Sequence, residues 1–311
     1  MKLYSHVLRK WLTAILTNLA ITAIFALAIS PAAHAQQNFA TPEAAMNAFG
    51  EAIVKDREDA LRTILGKDFR NLIPPVGAQV RDAFLTMWSK SHAIKPIDTR
   101  HAEIAVGDDG WTLPIPLVKT DRGWHFDTRA GAEEMRERRI GRNELAVIQT
   151  MLAIYDAQRE YAQTNHDGEG VLAYASKMVS SPGKHDGLYW PTGPDDPPSP
   201  LGDAFVNASA RNTQNAGYHG YHYKLLYSQG PHAPGGAYDY VVDGKLFGGF
   251  AIIAWPVRYG DTGIKTFMVS HAGQIYERDL GPQTAAKAEA TKSFDPGPGW
   301  KKVSAQDSGL P

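Results

Sequence analysis

The chain contains no cysteine. Thiol nucleophiles, thiolate zinc sites, iron–sulfur clusters and covalently attached c-type haem are therefore excluded, and the fold has no disulfide to rest on. Of its 311 residues 43% are hydrophobic and 21% charged. A core of that size is expected to suffice without cross-links, even in an oxidising compartment. A surplus of either charge is missing as well. The formal net charge of −1 offers no electrostatic reason to hold nucleic acid or anionic lipid. The Gly-x-Ser-x-Gly elbow, a phosphate-binding glycine loop ahead of a helix and a His-Glu-x-x-His helix are all lacking. Beyond Ile29 no apolar run reaches the ~18 residues that span a bilayer.

What is present begins at the N-terminus. Lys2, Arg9 and Lys10 precede an apolar stretch from Trp11 to Ile29, and no acidic residue occurs before Glu43. Ser30-Pro31 breaks the stretch, and Ala33-His34-Ala35 supplies the small residues that a signal peptidase accepts. The pattern predicts a secretory signal over residues 1–35, a periplasmic or secreted protein, and no membrane attachment after cleavage. The stretch is also about long enough to span a bilayer. A retained anchor is the alternative, against which stand Thr13, Thr17, Asn18 and Thr22 within it.

Thr41-Pro42-Glu43 is a helix start, with a capping hydroxyl, a first-turn proline and an acidic residue at the positive end of the dipole. Ala45, Met46, Phe49, Ala52 and Ile53 give that helix one apolar face. Short helices are expected near residues 57–65 and 81–88. The period then changes from 3.6 to 2, and residues 101–106, 111–118 and 123–127 read as strands joined by Asp-Asp-Gly and Asp-Arg-Gly turns. Pro114 and Pro116 mark the middle one as an edge strand or a bulge. Residues 130–139 are charged and read as a helical connector. After it, Leu145, Ile148, Leu152, Tyr155 and Ala162 form the stripe of a long helix over residues 143–164. A proline-rich loop follows, then strands from Tyr218. Tyr221, Tyr223, Leu225 and Tyr227 share one face, and His222, Lys224 and Leu226 the other. Asp243-Gly244 reads as a hairpin turn, and residues 247–255 as a strand covered on both faces. Residues past Pro282 are rich in Ala, Lys, Pro and Gly and are expected to fray.

The expected fold class is thus α+β. A small helix-plus-antiparallel-sheet domain spans residues 36–140. A second domain, one long helix on about four antiparallel strands, spans residues 141–282, and a flexible tail covers residues 283–311.

Four blocks resemble the signature segments of a bacterial family of secreted proteins, the domain-of-unknown-function family 2950. They are Arg139-Ile140-Gly141-Arg142-Asn143-Glu144, Asp186-Gly187-Leu188-Tyr189-Trp190-Pro191, Tyr218-His219-Gly220-Tyr221-His222-Tyr223 and Gly235-Gly236-Ala237-Tyr238-Asp239-Tyr240. The resemblance implies an envelope protein and transfers no activity and no site. At the level of fold, the second domain resembles the globular head of type IV pilins and pseudopilins, with residues 260–273 similar to the closing hairpin. Pilins carry an apolar anchor before that helix, whereas residues 133–142 here are charged. The likeness therefore implies a head without a polymerising stem. The first domain resembles the helix-plus-curved-sheet module of the nuclear-transport-factor-two type, which hosts enzymes, binders and dimer interfaces alike.

Three groups of side chains carry candidate chemistry. His101, Glu103, His125 and Asp127 lie on predicted strands, with His101 and Glu103 on one face and His125 and Asp127 on one face, as an acid–base site of a hydrolase would need. The competing reading is the solvated side of a half-buried sheet. His219 and His222, with His232 nearby, are candidate metal ligands, but their spacing in a strand sends the first two to opposite sides. Asp167 and Glu169 fit a calcium loop or a helix-ending turn. The aromatic group Tyr189, Trp190, Tyr218, Tyr221, Tyr223, Tyr238 and Tyr240 fits a recognition surface or an ordinary core. These weigh toward a binding or assembly module for an envelope protein or a glycan, without cofactor, and away from an enzyme.

Overall fold

The Thr41 hydroxyl accepts the N–H of Ala44 at 3.1 Å, so helix α1 (Pro42–Val54) starts where the Thr-Pro-Glu pattern places it. The computed structural model describes residues 36–166, 170–193, 198–202 and 217–304. Among these, no helix is long and apolar enough to cross a membrane. The expected signal, residues 1–35, lies outside them. The class is α+β, and the chain divides into two units at Glu134/Met135.

In the first unit α1 is followed by α2 (Glu58–Leu65), a 3-10 turn (Phe69–Asn71) and α3 (Gln79–Lys90). A four-stranded antiparallel meander then runs β1 (His92–Pro96), β2 (His101–Val106), β3 (Leu117–Thr120), β4 (Gly123–Phe126) in spatial order. Strand β1 escapes the sequence reading because its side chains are mostly exposed and do not alternate. The expected strand over residues 111–118 forms a ladder only from Leu117, because Pro114 and Pro116 have no N–H to donate. The buried face of the sheet, with Ala102, Ile104, Leu117 and Phe126, meets Phe49, Phe84 and Trp88. Ring centroids lie 5.4 Å apart for Phe49–Phe126 and 5.5 Å for Phe84–Trp88. The space between helices and sheet is filled by these rings.

Helix α4 (Thr128–Tyr161) is one unbroken element of 34 residues. The charged connector and the long helix expected over residues 143–164 are parts of it. The buried stripe is Val147, Met151, Ile154, Gln158 and Tyr161, spaced four and three apart as a helix requires. Of the expected stripe, Ile148 is buried in the same core and Leu152 and Tyr155 pack against it, whereas Leu145, assigned to the core by pattern, is 48% exposed. Gln158 tolerates complete burial because its amide reproduces a backbone pair, accepting from Ala175 N at 2.9 Å and donating to Ala175 O at 3.0 Å.

Next come the parallel pair β5 (Lys177–Val179) and β6 (Gly187–Tyr189). Then follow β7 (Tyr221–Leu226), β8 (Ser228–Gln229), β9 (Tyr238–Asp239), β10 (Val241–Val242) and β11 (Lys245–Leu246). The chain continues through β12 (Ala251–Pro256), β13 (Lys265–Ser270), β14 (Ile275–Asp279), α5 (Thr284–Ala290) and β15 (Lys301–Lys302). The main sheet is antiparallel in the order β15-β14-β13-β12-β7. One face, with Tyr221, Leu225, Ile252, Ala254, Phe267 and Val269, packs on α4. The other, with Leu226, Ile253, Trp255 and Met268, packs on Tyr240, Leu246, Ala288 and Phe294. All six residues of β12 are buried, as expected, but the expected strand over residues 247–255 begins only at Ala251, and Phe247 is 58% exposed. Asp243 and Gly244 turn the β10–β11 hairpin at φ 49° and 78°, a left-handed pair that Asp-Gly adopts readily.

The C-terminal segment corrects the expectation of a frayed tail over residues 283–311. Up to Ser304 it is described and packed. The Lys224 ammonium donates to Ala288 O, Glu289 O and Thr291 O at 2.7–2.9 Å, closing the C-terminus of α5. Phe294 is 1% exposed and is bracketed by backbone bonds to Ser228 and Gly230. An Ala- and Lys-rich composition conceals one anchoring aromatic side chain.

Candidate functional site

Three of the six residues in block 139–144 act as a latch on residues 258–265. Arg139 pairs with Asp261, which Arg258 also holds. Asn143 donates to Thr262 O at 2.8 Å. Glu144 Oε1 accepts the N–H groups of Ile264 and Lys265 at 2.8 and 2.9 Å. Ile140 is buried. The Tyr221 hydroxyl donates to Lys265 O at 2.9 Å and stands 3.5 Å from Glu144 Oε1. Burial, followed by the Glu144 charge, pushes its ionisation far above the ordinary phenol range. A Cβ on Gly263 would lie 2.0 Å from that hydroxyl, so only glycine fits there. This network joins helix to sheet.

The first-unit acid–base residues are not brought together. His101 bonds Asp98 at 2.9 Å in an exposed turn. Glu103 pairs with Lys95 at 3.1 Å. Asp127 Oδ1 accepts Ala130 N at 2.9 Å and caps α4. His101 and His125 share a sheet face, but Val118 stands between them in the register, so they are two strand spacings apart, roughly 10 Å. His101, Glu103 and Asp127 are thus engaged locally, whereas the buried His125 Nδ1 has no hydrogen-bond partner among the described residues.

The candidate metal ligands His219 and His222 have separate surroundings. His219 (φ 51°) sits in a tight turn closed by Tyr218 and Tyr221, with its ring 4.2 Å from that of Tyr218. His222 lies against Trp255 at 5.5 Å, and His232 bonds Asp295 at 3.0 Å. Desolvation lowers the imidazole pKa at both His219 and His222. Among the described residues no three His, Asp or Glu side chains gather to hold a metal. Asp167 and Glu169 lie outside those residues.

The tyrosine face is corrected too. Tyr221 and Tyr240 are completely buried and Trp190 is 3% exposed, so these three are core and present nothing to a partner. Tyr240 spends its hydroxyl on Gln229 Oε1 at 3.0 Å. Tyr189, Tyr218 and Tyr223 are half-buried, and Tyr238 is the one of the seven that stands exposed. A strand pattern gives the side of a sheet but not whether another layer covers it, which is why the reading fell on the wrong residues.

An open cleft of about 570 Å³ does exist in the second unit, within the size range of ligand sites. Its walls come from the end of α4 with the residues after it (Tyr161, Thr164, His166), from residues 171–176 and 183–186, and from the hairpin residues Gly244, Lys245 and Leu246. Two imidazoles are stacked on aromatic rings here: His166 on Tyr161 at 4.0 Å and His185 on Trp190 at 4.3 Å. Tyr161 fastens the wall by donating to His185 O at 2.6 Å. The Lys245 ammonium is enclosed in the wall, while Lys184 is exposed at its edge. None of His166, Lys184, His185 or Lys245 was singled out from the sequence. They come from separate segments of the chain, although His166 precedes Asp167, His185 precedes the Asp186 block and Lys245 follows Asp243-Gly244.

Asp186 organises one wall. Its carboxylate takes Lys177 Nζ at 2.7 Å, Ser181 N at 2.7 Å and the Ser181 hydroxyl at 3.0 Å. Lys177 also donates to Ser181 Oγ at 2.6 Å. With the carboxylate in the same cluster, this is an ammonium between two acceptors, not an amine poised to deprotonate serine. The Lys177 bond, followed by that from Ser181, holds the Asp186 carboxyl far below its usual 3.8. A depressed folded pKa makes the contribution complete above the unfolded value and progressively lost as pH falls from there toward the folded one. Exchange protection of the Ser181 amide is therefore expected to drop on acidification below roughly pH 4. In Asp186→Ala, which removes both acceptor oxygens, it is expected to be low already at neutral pH and flat with acid. A protected amide in that variant contradicts this account of the wall.

Compared with known proteins, residues 36–303 match the family model described as protein of unknown function (DUF2950). No curated protein and no solved structure matches.

Proposed function

The chain belongs to this DUF2950 family, and from that premise we propose an exported, non-enzymatic binding module whose second unit seats another protein of the cell envelope. Export is supported by the basic start, apolar middle and Ala33-His34-Ala35 end of residues 1–35. The family match begins at Gln36, the residue after the expected cleavage. The second unit keeps its likeness to a pilin or pseudopilin head in this proposal, supported by a long helix laid on an antiparallel sheet. The charged residues 133–142 argue against assembly through an apolar stem.

One observation carries the choice of a protein partner. Among the described residues, every exposed large apolar side chain of the second unit except Leu145 comes from residues 171–179 and 227–247, the segments around the cleft. Val171, Leu172, Val242 and Phe247 are 41–58% exposed. These segments are tied together: Tyr174 N bonds Leu246 O at 2.9 Å, and the Tyr227 hydroxyl bonds Ser176 O at 3.1 Å. Apolar side chains gathered on one surface mark a partner's seat more often than chance exposure does. A glycan is less well served, since the faces of Trp190 and Tyr161 are covered by His185 and His166.

The test is a double substitution, Val242→Asp with Phe247→Asp. It leaves thermal unfolding in place, because both side chains are exposed, and removes the protein that co-purifies with the mature chain from the envelope fraction. Co-purification at the wild-type level counts against the seat.

A further inference from the structure

We infer, on the reading that residues 1–35 are an export signal, that the bond after Ala35 is cut before the first unit folds, because the folded unit ties down the residues that follow it. Gln36, Gln37 and Phe39 are docked on the fold. The Gln36 side-chain amide donates to Phe126 O at 2.6 Å. Gln37 N donates at 3.0 Å to the carbonyl of Thr63, near the end of α2. Phe39 exchanges both backbone hydrogen bonds with Trp124, at 2.7 and 2.8 Å, and so forms an antiparallel bridge on the outer edge of β4. Its side chain is 8% exposed. Gly123 is fitted to this contact: its φ is 110°, and a Cβ there would lie 2.4 Å from Phe39 O.

A peptidase acts on an extended stretch on both sides of the bond it cuts, so a folded substrate must first open there. One residue spans at most ~3.5 Å, and the bond in question is the one that joins Gln36 to Ala35. It enters an active site only after Gln36 and Gln37 come off the surface. Two hydrogen bonds of ordinary strength oppose that step, which sets the expected slowing at about tenfold or more. The chain therefore emerges unfolded, is cut, and then seats its new N-terminus beside β4.

The test compares three substrates of purified signal peptidase in detergent micelles: the folded full precursor, a synthetic peptide of residues 1–45, and a folded precursor with Gly-Ser-Gly-Ser inserted between Ala35 and Gln36. Tryptophan fluorescence checks that both precursors are folded. The peptide is expected to be cut after Ala35, and the folded precursor about tenfold more slowly or less. The spacer moves the bond away from the docked residues without altering them, and it is expected to bring the rate close to that of the peptide. Phe39→Ala in the precursor is expected to fall between wild type and spacer. Equal rates for peptide and folded precursor overturn the inference and leave the export reading intact. A spacer precursor as resistant as the wild type also overturns it, since docking is then not what protects the bond. A peptide that is not cut after Ala35 removes the export reading, and the inference with it.

Discussion

Replacing Glu144 with alanine is expected to lower the unfolding free energy of the second unit by about 2–3 kcal/mol, since two hydrogen bonds to a charged acceptor are lost and their donors stay part-buried. One carboxylate oxygen serves both Ile264 N and Lys265 N, where the chain enters β13. Tyr221, completely buried, completes the same corner through Lys265 O. Glu144→Gln keeps an acceptor oxygen and removes the charge, so it is expected to fall between wild type and alanine. Urea titration followed by tryptophan fluorescence reads all three proteins. An alanine variant with the wild-type midpoint and slope means that the latch is incidental to stability.

Phe294→Ala is expected to cost about 3–5 kcal/mol, the range for removing a fully buried aromatic side chain. Phe294 packs edge-on to Tyr276 at 5.8 Å and lies among Leu226, Trp255, Met268 and Ala288. Its backbone accepts from Gly230 N and donates to Ser228 O, both at 2.9 Å. Loss of the ring therefore opens a cavity and loosens the segment that carries β15. A frayed tail predicts no change at all, so one thermal melt separates the two descriptions.

Legibility from the sequence followed local chemistry. Thr41-Pro42 and Asp243-Gly244 specify their own backbone, and the run into β12 has no polar residue to turn outward, so these were readable. The extent of the third strand followed from Pro116. What depends on a remote partner was not readable. The stripe of α4 has apolar residues on more than one side, and packing on the sheet selects Val147 and Met151 over Leu145. Tyr221 on β7 and Tyr240 between β9 and β10 are both buried completely by other layers. The cleft is the extreme case. Its walls come from residues 161–186 and 244–246, and no spacing rule relates Lys245 to His185. Among the described residues named from sequence as candidates, Trp190 reaches this site by stacking on His185.

The central claim, that the apolar rim of the cleft is a partner's seat, is tested most directly by photo-crosslinking in the living cell. A benzophenone amino acid is placed at Phe247, at Val242 and, as a comparison of similar exposure, at Val76 and Val80 of the first unit. The account predicts a discrete envelope-protein adduct from Phe247 and Val242 and none from Val76 or Val80. No adduct at the rim, or equal adducts from all four positions, contradicts it.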